Sequence, residues 1–397
     1  MTAPTADRTT TVTLGVNRLL TAERHLIEGR RVGLLCNPAS IDAAFRHSAD
    51  LLFDDPGITL AAIFGPQHGF RADLQDNMIE TPHGCDSRRK VPVFSLYSEV
   101  REPTPAMLNG LETLVIDIQD VGTRVYTFIY TMANCMRAAA RHRIPVVVCD
   151  RPNPVNGVDV EGSRLDRAFT SFVGQYPIPM RHGMTVGELA MFFNETFAIG
   201  ADLHVVAMDG WRREMFFDEA SLPWVMPSPN IPTLDTAIVY PGAVLFEGTQ
   251  LSEGRGTTRP FELIGAPWID GERLADAMNG RGLPGVRFRP AFFEPTFQKH
   301  ARQTCGGCQL HVTDRHTFRP LRTAVELIDE LHHQEPSRFA WREPPYEYEH
   351  DKMPVDILYG SDRLRQAVAN GTVDALMSSW ARDEDQFRRQ RESCLLY

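Results

Sequence analysis

Six short runs of apolar and β-branched residues punctuate the first half of the chain. They are RVGLLC (31–36), LAAIFG (60–65), VPVFSL (91–96), TLVIDI (113–118), IPVVVCD (144–150) and LHVVAM (203–208). Half-solvated strands alternate apolar and polar residues. Continuous apolar runs of this length instead suit strands covered on both faces, as in a parallel sheet. Helical patterns separate several of them: PAMLNGL leads into the fourth, TFIYTMANCMRAAARHR joins the fourth to the fifth, and TVGELAMFFNETF precedes the sixth. In the last, Thr185 with Glu188 three residues on reads as a capping box. Strands alternating with helices predict an α/β fold with a Rossmann-like parallel sheet.

The chain has 397 residues, more than one ordinary core holds, so two domains are expected. After residue 210 the periodicity stops. The stretch GWRREMFFDEASLPWVMPSPNIPTLDTAIVYPG has no clear period and reads as an irregular crossover. Beyond it come a helix (GERLADAMNGR), strand-like segments (GVRFRPAFF, CQLHVTD) and two further helices (LRTAVELIDELHHQ, SDRLRQAVAN). This organisation predicts a Rossmann-like N-terminal domain over 1–234 and a smaller C-terminal α/β or α+β domain over 235–397.

Several functions are disfavoured at once. The first strand ends in CNPAS rather than a G-x-G-x-x-G turn, and the sequence has no Walker motif, so neither a dinucleotide nor a nucleoside triphosphate is expected as cofactor. The formal net charge of −10 repels nucleic acid and anionic membrane. Seven scattered cysteines make no disulfide framework, and Cys305 with Cys308 in CGGC lacks the second ligand pair of a zinc site, so it reads as a turn and no metal is expected. The N-terminus lacks the charged and apolar regions of a signal peptide, and no apolar run is long enough to span a bilayer, so a cytoplasmic protein is expected.

In open α/β sheets ligands bind beyond the carboxyl ends of the strands. The second run is followed by Gln67, His68 and Arg71, the fourth by Asp120, Arg124 and Tyr126, and the apolar part of the fifth (144–149) by Asp150, Arg151 and Asn153. Acids, amides and arginines beside Gly or Pro at three strand ends point to a polar pocket. Arginines clustered on an acidic protein suit a ligand with a carboxylate or phosphate, which guanidinium grips in a fork. Tyr126, Tyr240 and Trp268 could face a sugar ring. The segment LSEGRGTTRPFELIGAPW (251–268) adds Glu253 and Arg255 on a glycine-rich backbone, with Glu247 just before it. It reads as one wall of that pocket.

The stretches GLLCNPAS, FGPQHGF, DIQDVGTRVYTF, DRPNP, SFVGQYPIPMRHGMTVGELA, PSPNIPTLDTAIVYPG and FEGTQLSEGRGTTRPFELIGAPW are long and irregular. Through them the chain resembles the exo-β-N-acetylmuramidase (NamZ-like) family of glycoside hydrolases, almost end to end. The resemblance implies a Rossmann-like domain and a smaller C-terminal domain with the active site in the cleft between them. It also implies release of terminal N-acetylmuramic acid, whose lactyl carboxylate accounts for the arginines. One departure matters: the family's PEHG reads PQHG here, so Gln67 stands where the resemblance implies a catalytic glutamate. An amide cannot exchange the proton that a carboxyl can.

The acids left to carry the chemistry are Asp120, Asp150, Glu247 and Glu253, with His68 beside Gln67 as an assistant. Arg71, Arg124, Arg181 and Arg255 compete for the anion, with Arg151, Asn153, His182 and Asn230 as further ligand contacts. Each has a structural alternative: Asp120 as a helix cap, Asp150 as a turn brace, the arginines as loop ties. Two functions stay open, a muramidase working without a glutamate at 67 and a sugar-binding protein that has lost its acid.

Overall fold

The computed structural model describes residues 11–72, 74–75 and 79–397. The first ten residues of the stretch read as lacking a signal peptide lie outside them, as do four positions, 73 and 76–78, of the segment that follows Gln67 and His68.

Among the described residues, strands β1 (Arg31–Cys36), β2 (Thr59–Gly65), β3 (Gly84–Cys85), β4 (Pro92–Ser95), β5 (Thr113–Asp117), β6 (Val146–Cys149) and β7 (Leu203–Val206) form one sheet in the order β3-β4-β2-β1-β5-β6-β7. All its pairings are parallel except β3 with β4. From β1 the chain winds outward to β2 and β4, then returns to build β5, β6 and β7 on the other side. This doubly wound order matches the predicted Rossmann-like class. Alternate side chains of the central strands enter different cores: Leu34 and Val115 pack with Ile27, Leu52 and Trp211, whereas Leu35, Leu114 and Ile116 pack with the helix Phe128–His142. The helix Val186–Thr196 begins with the expected capping box of Thr185 and Glu188.

The second part is smaller. Strands β8 (Leu263–Ala266), β9 (Val286–Phe293) and β10 (Cys305–Val312) make an antiparallel sheet in the order β8-β10-β9, covered by the helix Gly271–Gly280, on which the helix Pro320–Gln334 packs in turn. Two expectations need correction here. The CGGC segment is no turn but the start of β10. Its glycines let neighbouring backbone close in: a Cβ on Gly306 would meet the Ile269 carbonyl oxygen at 2.2 Å, and one on Gly307 that of Ile264 at 2.0 Å. The crossover after residue 210 is irregular only in part, because Leu234–Ala243 is a helix capped by the Thr233 side chain. It is buried nearly all round, which erases the amphipathic period. Gly242 packs directly on the backbone of Pro320.

One buried guanidinium helps to tie the two parts. Arg124, expected at a ligand, is fully buried and donates to the carbonyl oxygens of Ser163 (3.2 Å), Ile178 (3.1 Å), Leu358 (2.8 Å) and Tyr359 (2.7 Å). Burial pulls its pKa down to about 10, so it stays charged at neutral pH. Replacing Arg124 with Met would leave these carbonyls without their donor. We expect a loss of about 3 kcal/mol or more, read as a lower urea midpoint. An unchanged midpoint would refute this structural role.

Candidate active site

The chain after β2 turns sharply. Gly69 N–H donates to the Pro66 carbonyl (2.9 Å), and His68 and Gly69 adopt φ of 69° and 79°. A Cβ on Gly65 would sit 2.7 Å from the Phe70 nitrogen, so glycine is needed where strand becomes turn. The turn carries Gln67 and His68 into the protein, where both are buried. After β5, residues 125–128 lead into the helix Phe128–His142. These elements meet the 228–231 segment, Tyr240, the 3-10 turn Val244–Gly248, the glycine-rich loop and a late segment holding Tyr346 and Glu347. Together they line a narrow cleft with about 470 Å³ of non-atom space, open solvent at its mouth included.

Two carboxyl groups dominate it. Glu247 accepts from Arg255 Nη2 (2.6 Å) and from the Tyr346 hydroxyl (2.7 Å). Burial acts to raise its pKa, but the charge and hydrogen bond of Arg255, with Tyr346 and the more distant Lys299, hold it below the ordinary glutamate value. Glu347 accepts from the Tyr97 hydroxyl (2.7 Å) and from Gln67 Nε2 (3.2 Å). Here burial wins, helped by the negative charge of Glu247, and the pKa is raised despite the donors. Among the described residues that line it, the cleft thus holds two carboxyls biased in opposite directions. Gln67 has a defined orientation: the Thr127 hydroxyl donates to its Oε1 (2.8 Å), which turns Nε2 toward Glu347. His68 Nδ1 lies 2.8 Å from the Leu74 carbonyl oxygen, which can only accept, so Nδ1 carries the proton and Nε2 is the acceptor in the neutral ring.

Arg255 is the cleft's cation. Its pKa is held above the ordinary value because Glu247 and Glu253 outweigh burial. Its Nη1 is buried without a protein hydrogen-bond partner, and its plane lies over the Phe261 ring (5.0 Å). The loop that presents it needs its glycines: Gly254 and Gly256 have φ of 75° and 80°, and a Cβ on Gly256 would lie 2.6 Å from the Phe297 carbonyl oxygen.

Of the residues singled out by sequence, Gln67, His68, Tyr126, Asn230, Tyr240, Glu247 and Arg255 line this cleft. The others are engaged elsewhere. Glu253 is buried beside Arg255, but its Oε2 accepts from Lys299 Nζ (2.7 Å), which also holds the Phe246 and Leu251 carbonyls, so it fastens the loop. Asp120 accepts from Gly122 N–H (2.7 Å) and lies 3.5 Å from His182 Nε2, bracing the turn after β5. Asp150 accepts from the hydroxyls of Thr185 (2.8 Å) and Tyr397 (2.6 Å) and from Gly187 N–H (2.7 Å), anchoring the start of the helix Val186–Thr196. Burial pushes it up to about 7. Arg151 forks onto Asp117 (2.5 and 2.8 Å), and Asn153 ties the Met184 carbonyl (3.0 Å). Arg181 bonds the Val155 carbonyl and pairs with Asp159 (3.1 Å). Arg71 is exposed and pairs with Asp86 (3.6 Å), and Trp268 meets His300 edge-on (5.1 Å).

Glu347 was missed by sequence reasoning. Its signal was the run PPYEYEH (344–350), two acids interleaved with tyrosines directly after a proline pair, in a segment without helical or strand period.

Two buried carboxyls with opposite protonation biases, flanked by an arginine and aromatic rings in a cleft, suit the chemistry of a glycoside hydrolase. The chain belongs to the NamZ exo-β-N-acetylmuramidase family: the profile of its N-terminal region matches residues 32–235 and that of its C-terminal region residues 238–397. It is 46% identical over 387 residues to the peptidoglycan β-N-acetylmuramidase NamZ of Bacillus subtilis (strain 168), covering 97% of this chain and 91% of that one. Its fold is shared with two crystal structures of DUF1343 family proteins from Bacteroides fragilis NCTC 9343. One has a TM-score of 0.87 at 34% identity, over 97% of this chain and 99% of the other. The second has a TM-score of 0.75 at 27% identity, over 98% and 99%.

Proposed function

We propose that the protein releases terminal N-acetylmuramic acid from peptidoglycan fragments, with Glu347 as general acid and Glu247 as the ionised partner. The observation that carries this reading is the pair itself: two buried glutamates whose surroundings push their protonation apart. Glu347 gives its proton to the glycosidic oxygen as the bond breaks. The Glu247 carboxylate supports the positive charge that develops at the anomeric carbon, water adds there to complete the hydrolysis, and the proton it sheds restores the spent carboxyl. Arg255 supplies a charged donor for the lactyl carboxylate through its unpartnered Nη1. His68 and Asn230 stand in the lining near the sugar hydroxyls, and Tyr126 and Tyr240 offer ring faces.

This assignment accommodates Gln67. The acid sits on Glu347 rather than at position 67, and the amide at 67 holds it. The sugar-binding alternative rested on the missing glutamate, and a carboxyl pair without position 67 removes its main support. Among the described residues no helix is long and apolar enough to cross a membrane. We place the reaction in the turnover of cell-wall fragments inside the cell, with an acidic oligosaccharide as the only partner required.

The test is incubation with a chromogenic N-acetylmuramide and with the disaccharide bearing N-acetylmuramic acid at its non-reducing end. Free N-acetylmuramic acid is expected from both. A folded protein that binds the disaccharide yet releases nothing would show the sugar-binding function instead.

A further inference from the structure

A second cavity opens beside the cleft. It is a wide groove of about 1110 Å³ of non-atom space, lined among others by Arg101, Asn134, Arg137, Ser171, Phe172 and Tyr176. Two short segments pass from one cavity to the other. Val173 lines the cleft and its neighbour Phe172 lines the groove. Tyr346 and Glu347 line the cleft, and the next residue, Tyr348, is 47% exposed and lies against Arg101 of the groove (4.4 Å from guanidinium carbon to ring centre). The wall between them is thin. Arg101 lies over the Tyr97 ring (4.3 Å), and the Tyr97 hydroxyl donates to Glu347.

The two guanidinium groups of the groove differ in how they are used. Arg137 is committed to Tyr176 (2.7 Å), Gln175 (3.1 Å), Asn134 and Glu102. Arg101 uses Nη1 on the Ser98 carbonyl, while Nη2 has a loose pairing at 3.6 Å with Glu80, itself half exposed. A pairing at that distance, with its acid half exposed to water, is weak and exchangeable. The Ser171 hydroxyl is buried without a hydrogen-bond partner in this same lining. The groove therefore combines an available charged donor, an unpaired hydroxyl and aromatic faces, next to the carboxyl that protonates the leaving group.

An enzyme that removes a terminal sugar must also hold what stays behind. Peptidoglycan glycan alternates a carboxylate-bearing sugar with a neutral one, so a neutral sugar follows the scissile bond and the next carboxylate comes one sugar later. We propose that the groove holds this retained part of the glycan, with Tyr348 facing the neutral sugar and Arg101 taking the next carboxylate. The inference rests on the hydrolytic reading above and adds a preference for longer acidic glycans.

The experiment compares the disaccharide with the tetrasaccharide, both with N-acetylmuramic acid at the non-reducing end. The quantity read is the ratio of their kcat/KM values, which cancels any general damage. In the unmodified protein it is expected to favour the tetrasaccharide about tenfold, the worth of one charged hydrogen bond. In Arg101→Gln, and in the exposed Tyr348→Ala, it is expected to fall toward one. A ratio near one in the unmodified protein, or one that both variants preserve, would overturn the proposal. Calorimetric affinities for the two glycans separate the failures. Tighter tetrasaccharide binding without turnover of either would sink the hydrolytic reading while leaving the groove as the site of the longer chain. Equal affinities with full turnover would sink the groove alone.

Discussion

Glu347→Gln is expected to lower kcat on the disaccharide roughly 10²–10⁴-fold, the usual worth of a positioned general acid. The change is nearly isosteric. The new amide oxygen can still accept from the Tyr97 hydroxyl or Gln67 Nε2, so folding should survive. Two readouts separate a lost acid from a disturbed pocket. The first is pH. Burial and Glu247 raise the Glu347 pKa, so the group is protonated and competent below that raised value, and activity declines as pH climbs through it. The variant has no proton to lose there, and its residual rate should be flat across the alkaline limb. The second is the leaving group. A nitrophenyl muramide needs little protonation to depart, so its rate should fall far less than that of the disaccharide. Equal losses on both substrates, with the alkaline limb intact, would mean the proton comes from elsewhere.

Much of the fold could be read from the chain because burial on both faces leaves a plain mark. A strand such as Val146–Cys149, covered on each side, has no place for a polar residue, so its apolar run stands out. Where side chains are buried without a period, the mark disappears. The helix Leu234–Ala243 holds a proline and a glycine near its end and is wrapped by neighbours, so nothing in its pattern separates helix from crossover. The CGGC segment misled for a related reason. Glycines suggest turns, but in β10 they serve the close approach of β8 and the Ile269 backbone.

The site was legible where a residue type has few structural uses and obscure where it has many. Gln67, Glu247 and Arg255 could be picked out because amide, acid and guanidinium stand together on glycine-punctuated turns. Asp120, Asp150 and Arg151 had the same credentials. Their tips of the sheet, however, are closed off: Tyr397 from the end of the chain reaches Asp150, and Arg151 is spent on Asp117 within the sheet itself. A carboxylate that braces a turn and one that faces a substrate look alike in sequence. Which of them meets the ligand depends on what the second half of the chain covers, and that is a long-range fact. Glu347 shows the converse, because its meaning comes from Gln67, some 280 positions away.

Glu247→Gln is expected to be at least as damaging, roughly 10³-fold or more in kcat, because a neutral amide cannot support the charge developing at the anomeric carbon. The split between kcat and KM carries the argument. In the native cleft part of the Arg255 charge is spent on Glu247 at 2.6 Å. Removing the carboxylate's charge frees that guanidinium for the lactyl group, so KM for the acidic sugar should stay level or fall while kcat collapses. A contact that merely shaped the pocket would raise KM instead. The pH profile should change on the opposite side from that of Glu347. Arg255 and Tyr346 hold the Glu247 pKa below its ordinary value despite burial, so the native enzyme keeps this carboxylate ionised well into acid. Its activity should fail only below the usual glutamate range, and the variant should lose that acid limb while keeping the alkaline one set by Glu347. If the acid limb survives in the variant, or if KM climbs in step with the loss of kcat, Glu247 is not the ionised partner and Arg255 must be ordering the substrate around some other carboxylate.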